Sequence, residues 1–112
     1  MKRYCQTLEL INDPFLIAEY EREHREVWPE VKAGMQEAGI LDMQIFRHEN
    51  LLFMIVETRD DFDWEKDMAR LATLPRQEEW EAHVARFQKV NPRATSAEKW
   101  KRMDKIFELK QA

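Results

Sequence analysis

The chain is short of the residues that mark several protein classes. Of its 112 residues one is a cysteine, Cys5, so no internal disulfide can form and a reducing compartment fits. Its setting reads as the interior of a strand, where it packs. Only two residues are glycine, Gly34 and Gly39, which leaves no G-x-x-x-x-G-K or G-x-G-x-x-G cradle for phosphate. One cysteine and three scattered histidines cannot make a tight zinc site. No serine stands in a nucleophile elbow. No apolar run approaches the roughly 20 residues needed to cross a bilayer. The start of the chain, Met1 to Gln6, is basic but lacks an apolar core, so it does not read as a signal peptide. The expected compartment is the cytoplasm. Net charge is −4 with both signs mixed, which gives no cationic footprint for nucleic acid. The basic cluster of Lys99, Lys101, Arg102 and Lys105 around Trp100 reads as a solvated loop; a docking site for an acidic partner is its rival.

What is present is an ordinary globular balance, 44% hydrophobic and 36% charged, which excludes a disordered chain. The length is that of one domain, residues 1–112. So short a chain buries a modest core, and a partner subunit is a natural way to bury more.

Residues 3–11 alternate as a strand, with Tyr4, Gln6, Leu8 and Leu10 on one face. Asp13 and Pro14 then open a helix expected over 14–38. Its apolar stripe runs through Leu16/Ile17, Tyr20, Val27/Trp28, Val31 and Met35, and Gly39 is its natural left-handed terminator. Gly34, inside it, costs about 1 kcal/mol relative to alanine, which close approach of another element would explain. Residues 41–47 and 51–57 form a hairpin around His48-Glu49-Asn50, and the near-continuous apolar run of 51–57 places it centrally. Asp60-Asp61 caps a helix over 62–72, and Leu74-Pro75 restarts one over 75–89 carrying Trp80, Val84 and Phe87. A polar stretch, 92–102, reads as a lid or a dimer arm and leads to a last strand at 103–110. The order βαββαβ predicts an α+β, ferredoxin-like fold with an antiparallel sheet. Its open face, with Gln6, Gln44 and Phe46 near it, invites a partner subunit or a ligand.

The chemistry concentrates in Tyr20-Glu21-Arg22-Glu23-His24-Arg25-Glu26-Val27-Trp28-Pro29-Glu30. Tyr20, His24 and Trp28 stand at i, i+4 and i+8, on one stripe of an uninterrupted helix. A histidine between two aromatic rings on an apolar stripe is partly desolvated and suits acid–base work near neutral pH. The bland alternative is a hydrogen-bonded core histidine. Trp80 reads as core on spacing alone, with Glu79 and His83 on a solvated flank.

The run Tyr20, His24, Trp28, Pro29, Glu30 resembles the signature of the L-rhamnose mutarotase family. So do Asn50-Leu51-Leu52-Phe53 with Val56-Glu57, the Trp80 helix, Asn91-Pro92 and Phe107, in the same order along nearly the whole chain. The resemblance implies a dimer of ferredoxin-like chains, the dimeric α+β barrel type, that interconverts the α and β anomers of a 6-deoxy sugar without metal or cofactor. It implies His24 as proton donor and Tyr20 as a sugar contact, with Trp28 offering a further ring face. The family's tryptophan pair falls on Glu79 and Trp80, and a sugar-contacting tyrosine falls on Met43. These departures change the pocket walls, so L-fucose rivals L-rhamnose as the sugar. Glu79 would then hydrogen-bond a hydroxyl. Glu30, Glu79, His83 or a partner-subunit residue are candidates for the base. Rival readings of the fold are a haem-handling or cofactor-free monooxygenase, with His24 as axial ligand, and a small-molecule-binding or regulatory module.

Overall fold

The computed structural model describes residues 1–110. Among these residues four strands form one antiparallel sheet: β1 (Lys2–Glu9), β2 (Ile40–His48), β3 (Leu51–Thr58) and β4 (Lys101–Arg102). Their order across the sheet is β2-β3-β1-β4, each neighbour antiparallel, which is the ferredoxin-like arrangement. The apolar run of β3 lies centrally, between β2 and β1. Among the described residues five helices accompany the strands: α1 (Pro14–Arg25), α2 (Pro29–Ala38), α3 (Trp64–Leu71), α4 (Gln77–Ala85) and the short α5 (Ser96–Lys99).

The helix expected over 14–38 is two helices, and the cause is Pro29. Proline has no N–H to give to the carbonyl four residues back, and it drives the preceding residue away from helical geometry. Trp28 accordingly adopts φ −55°, ψ 134°, and Pro29 opens α2 at its first position. Asp13 caps α1 as expected, accepting from the N–H groups of Phe15 and Leu16 at 2.9 and 3.1 Å. Gly39 ends α2 at φ 109°. Gly34 is where α2 meets the start of α4. A Cβ there would stand 2.8 Å from Gln77 Nε2. That amide donates to the Val31 carbonyl at 2.8 Å, so the glycine opens room for a buried helix-to-helix bond.

Three further expectations are corrected. Asp63, not Asp60-Asp61, caps α3, accepting from the Lys66 N–H at 3.0 Å. The stretch 92–102 holds α5, whose capping box joins Thr95 and Glu98. The last strand is only Lys101–Arg102, paired with Thr7 and Gln6; after the Met103 N–H bonds the Cys5 carbonyl at 2.8 Å, residues 103–110 leave the sheet and lie exposed. Met103, Ile106, Phe107 and Leu109 present exposed apolar groups that no layer among the described residues covers.

The core lies between sheet and helices, on the face defined by Leu8, Leu10, Leu52, Met54 and Val56. Gln6 belongs to this covered face, 1% exposed, not to the open one, because it shares the alternation of Tyr4 and Leu8. Gln44 and Phe46 do lie on the open side. No helix among the described residues is long and apolar enough to cross a membrane.

Candidate active site

His24 stands in the last turn of α1, one turn beyond Tyr20. Its Nδ1 lies 2.8 Å from the Tyr20 carbonyl oxygen. A carbonyl only accepts, so Nδ1 carries the proton and the neutral ring keeps its lone pair on Nε2. The two ring centroids lie 4.1 Å apart with the planes tilted by 38°, and the edge of Trp80 on α4 closes on His24 at 5.4 Å. Burial holds the His24 pKa below its usual 6.5, outweighing the Tyr20 carbonyl and the charge of Glu23, which both raise it. At neutral pH the imidazole is uncharged.

These side chains border a cavity of about 330 Å³ between the helices and the covered face of the sheet. The size is at the lower end of small-molecule sites. Part of its lining is apolar: Met43 and Ile45 from β2, Met54 from β3, and Val27 and Met35. Tyr20, Glu81 and Gln88 bring polar groups to the same cavity. Tyr20 is 3% exposed, and its burial pushes the hydroxyl pKa well up; the Gln88 side chain opposes that rise and the charge of Glu81 adds to it. Gln88 Oε1 is buried without a hydrogen bond of acceptable geometry.

Four of the residues singled out by the sequence meet here: Tyr20, His24, Met43 and Trp80. Two do not reach the cavity. Trp28, displaced by the break at Pro29, packs behind it against Trp80 at 5.2 Å and His83 at 5.4 Å, with the Arg76 guanidinium 4.0 Å over its ring. Glu79 is turned away on the exposed flank of α4 and pairs with Arg76 at 3.4 Å. The candidate bases fare similarly. Glu30 pairs with Arg76 at 3.0 Å, and His83 pairs with Glu23 at 3.0 Å. None of the three borders the cavity.

Glu81 does, and sequence reasoning passed over it. Its signal was available: Gln77, Trp80, Glu81, Val84, Ala85 and Gln88 recur at three- and four-residue steps, which puts a carboxylate on the buried stripe of α4. Its partner Lys99, 3.0 Å away on α5, lay in what read as a solvated basic loop. Among the described residues no cluster of three metal-ligating side chains occurs.

The class this defines is a ferredoxin-like domain with a small cavity and uncharged imidazole and buried carboxyl groups on its wall, a set suited to moving protons on a small polar molecule. A family description of L-rhamnose mutarotase matches residues 3–109. An L-fucose mutarotase of Xanthomonas campestris is 46% identical over 114 residues, spanning 100% of this chain and 91% of that protein. An L-rhamnose mutarotase of Enterococcus faecalis is 31% identical over 96 residues, spanning 82% and 85%. The crystal structure of an L-rhamnose mutarotase from Formosa agariphila superposes with a TM-score of 0.75 at 19% identity, covering 98% of this chain and all of that one, which establishes the shared fold. The chain belongs to the L-rhamnose mutarotase family.

Proposed function

We propose that this protein is an isomerase that interconverts the α and β anomers of L-fucose in the cavity beside His24. The observation that carries the reading is His24 itself, on the cavity wall with Nδ1 committed to the Tyr20 carbonyl and Nε2 left as the free ring position. Mutarotation needs a proton taken from the anomeric hydroxyl and one given to the ring oxygen, reversed on closure. An uncharged Nε2 takes the first of these, and the imidazolium so formed returns it on closure. His24 is therefore base on opening and donor on closure. The donor role that family resemblance implies belongs to the second half of the cycle.

The mixed lining of the cavity supports a 6-deoxy sugar. Met43, Ile45 and Met54 offer an apolar seat for a methyl group, while Tyr20, Glu81 and the unsatisfied Gln88 Oε1 offer partners for hydroxyls. L-Fucose is favoured over L-rhamnose because the Xanthomonas relative is the more similar of the two, at 46% against 31% identity. The reaction needs no cofactor, and the single free cysteine fits the cytoplasm. The working unit is a homodimer. Phe46 and Leu51 on the open sheet face, and Ile106, Phe107 and Leu109 on the exposed tail, form apolar surface that a second copy would cover. A solution mass of twice 13.6 kDa is expected; a monomer at micromolar concentration would refute the dimer.

The test of function is anomer exchange by NMR saturation transfer, with L-fucose and L-rhamnose side by side. Faster exchange of L-fucose is expected, lost by about 10²–10⁴-fold in His24→Ala. Acceleration of L-rhamnose alone would overturn the choice of sugar. Acceleration of neither, by a folded protein, would overturn the activity.

A further inference from the structure

We propose that Glu81, clamped by Lys99, is the second proton-transfer group of the site and exchanges a proton with the ring oxygen of the sugar. This rests on the mutarotase reading and supplies the partner that His24 lacks.

The geometry begins with α5. This helix has four residues, too few to stand alone, and the reciprocal bonds of Thr95 and Glu98 fix it; the Thr95 N–H reaches Glu98 Oε1 at 2.8 Å. It delivers Lys99 into the interior, where none of the lysine side chain is exposed. The ammonium donates to the Glu81 backbone carbonyl and lies 3.0 Å from Glu81 Oε1. The Glu81 side chain is 14% exposed. Carboxyl group and backbone of one residue are thus gripped by one cation.

Such a pair is a poor choice for stability alone. Removing two charges from water costs several kcal/mol per ion, and well-packed apolar residues of similar volume often do as well or better. The residue instead stands at a cavity wall shared with His24, and its charge acts on the Tyr20 hydroxyl. Buried ionisable groups held at a cavity by a specific partner are the pattern of chemical sites. Burial raises the Glu81 pKa above its ordinary value, a shift that Lys99 offsets only in part. The other charged or titratable groups at this cavity are His24 and Tyr20 from α1 and Lys32 from α2.

The proton balance closes. On opening, the C1–O5 bond breaks, the O1 proton passes to His24 Nε2, and the protonated Glu81 carboxyl gives its proton to O5. The open sugar then has an aldehyde at C1 and a hydroxyl at C5, beside a His24 imidazolium and a Glu81 carboxylate. The aldehyde rotates about C1–C2. On closure O5 attacks the other face of C1, its proton returns to Glu81, and His24 returns its proton to O1. Neither group ends changed.

The experiment is anomer exchange of L-fucose by wild type and Glu81→Gln, with pH profiles and a folding check by circular dichroism. Glutamine keeps the shape and an acceptor for Lys99 but cannot carry the proton. Turnover should fall about 10²-fold with KM little changed, and one limb of the pH profile should vanish. Turnover within about threefold of wild type, or a fall with both limbs intact, overturns the proposal. A wild type that accelerates nothing refutes the mutarotase reading itself, so the two failures are distinct. If Glu81→Gln does not fold, carbon-13 spectra of wild type labelled at glutamate carboxyls decide. L-Fucose must shift the resonance of this buried carboxyl, and an unmoved resonance overturns the proposal.

Discussion

Two of the three glutamates of helix α4, Glu79 and Glu81, lie two residues apart in opposite environments. Glu79 is exposed and shares Arg76 with Glu30, all three in water. Glu81 is enclosed, and its cation Lys99 is fully buried. A helix turns about 100° per residue, so positions i and i+2 point almost oppositely. That rotation alone makes one carboxylate a solvated rim charge and the other a wall of the cavity. The side chain is identical; its surroundings decide whether it serves solubility or proton transfer. The sheet repeats the contrast. Its covered face holds the core and the cavity, while its open face shows Phe46 and Leu51 to solvent.

The largest test of this contrast is Lys99→Met. It fills the space but removes the cation, leaving Glu81 enclosed without its partner. Breaking a buried pair in this way costs about 3–5 kcal/mol, measurable by urea unfolding at neutral pH. The sign of the pH dependence follows from Glu81. With its pKa raised further in the folded variant, the folded state holds a proton that the unfolded chain releases above its ordinary value of 4.5. Stability is therefore lost as pH rises from 4.5 through the folded pKa, and the deficit against wild type shrinks in acid. The double variant Lys99→Met/Glu81→Gln should recover part of the loss at neutral pH. If it is no more stable than Lys99→Met, the cation's role is packing of its methylenes and the contrast between the two glutamates weakens.

Much of this was legible in the residues. Strand alternation, the central run 51–57, Asp13 with Pro14, and Gly39 as terminator each follow from local rules, and local rules decide local structure. The shared helix face of His24 and Tyr20 was legible for the same reason, as they lie four residues apart within one helix. Trp28 was misplaced because its spacing to His24 counts only if the helix continues, and Pro29 ends it. A stricter reading of the residue before a proline would have found the break. Glu81 and Lys99 were missed for a different reason. Their bond spans 18 residues and depends on how α5 folds back on α4, which no periodicity reports. Residues 103–110 have apolar side chains and the look of a strand, but pairing needs a neighbour, and beyond Met103 the chain no longer follows β1.

The smallest effect, and the sharpest boundary, is Glu79→Gln. Removing this charge leaves Arg76 with Glu30 at 3.0 Å and with the face of Trp28 at 4.0 Å, so the guanidinium keeps its place. Exposed pairs of this kind contribute little, and this one is an i, i+3 pair within α4's first turn. The unfolding midpoint should not move measurably. Affinity for L-fucose and the rate of anomer exchange should both match wild type, because Glu79 does not border the cavity. The same assays run on Glu81→Gln provide the contrast, two neighbouring carboxylates converted to amides with opposite outcomes. A tenfold loss of sugar affinity in Glu79→Gln would mean that the flank of α4 reaches the sugar after all, and that the rim belongs to the site.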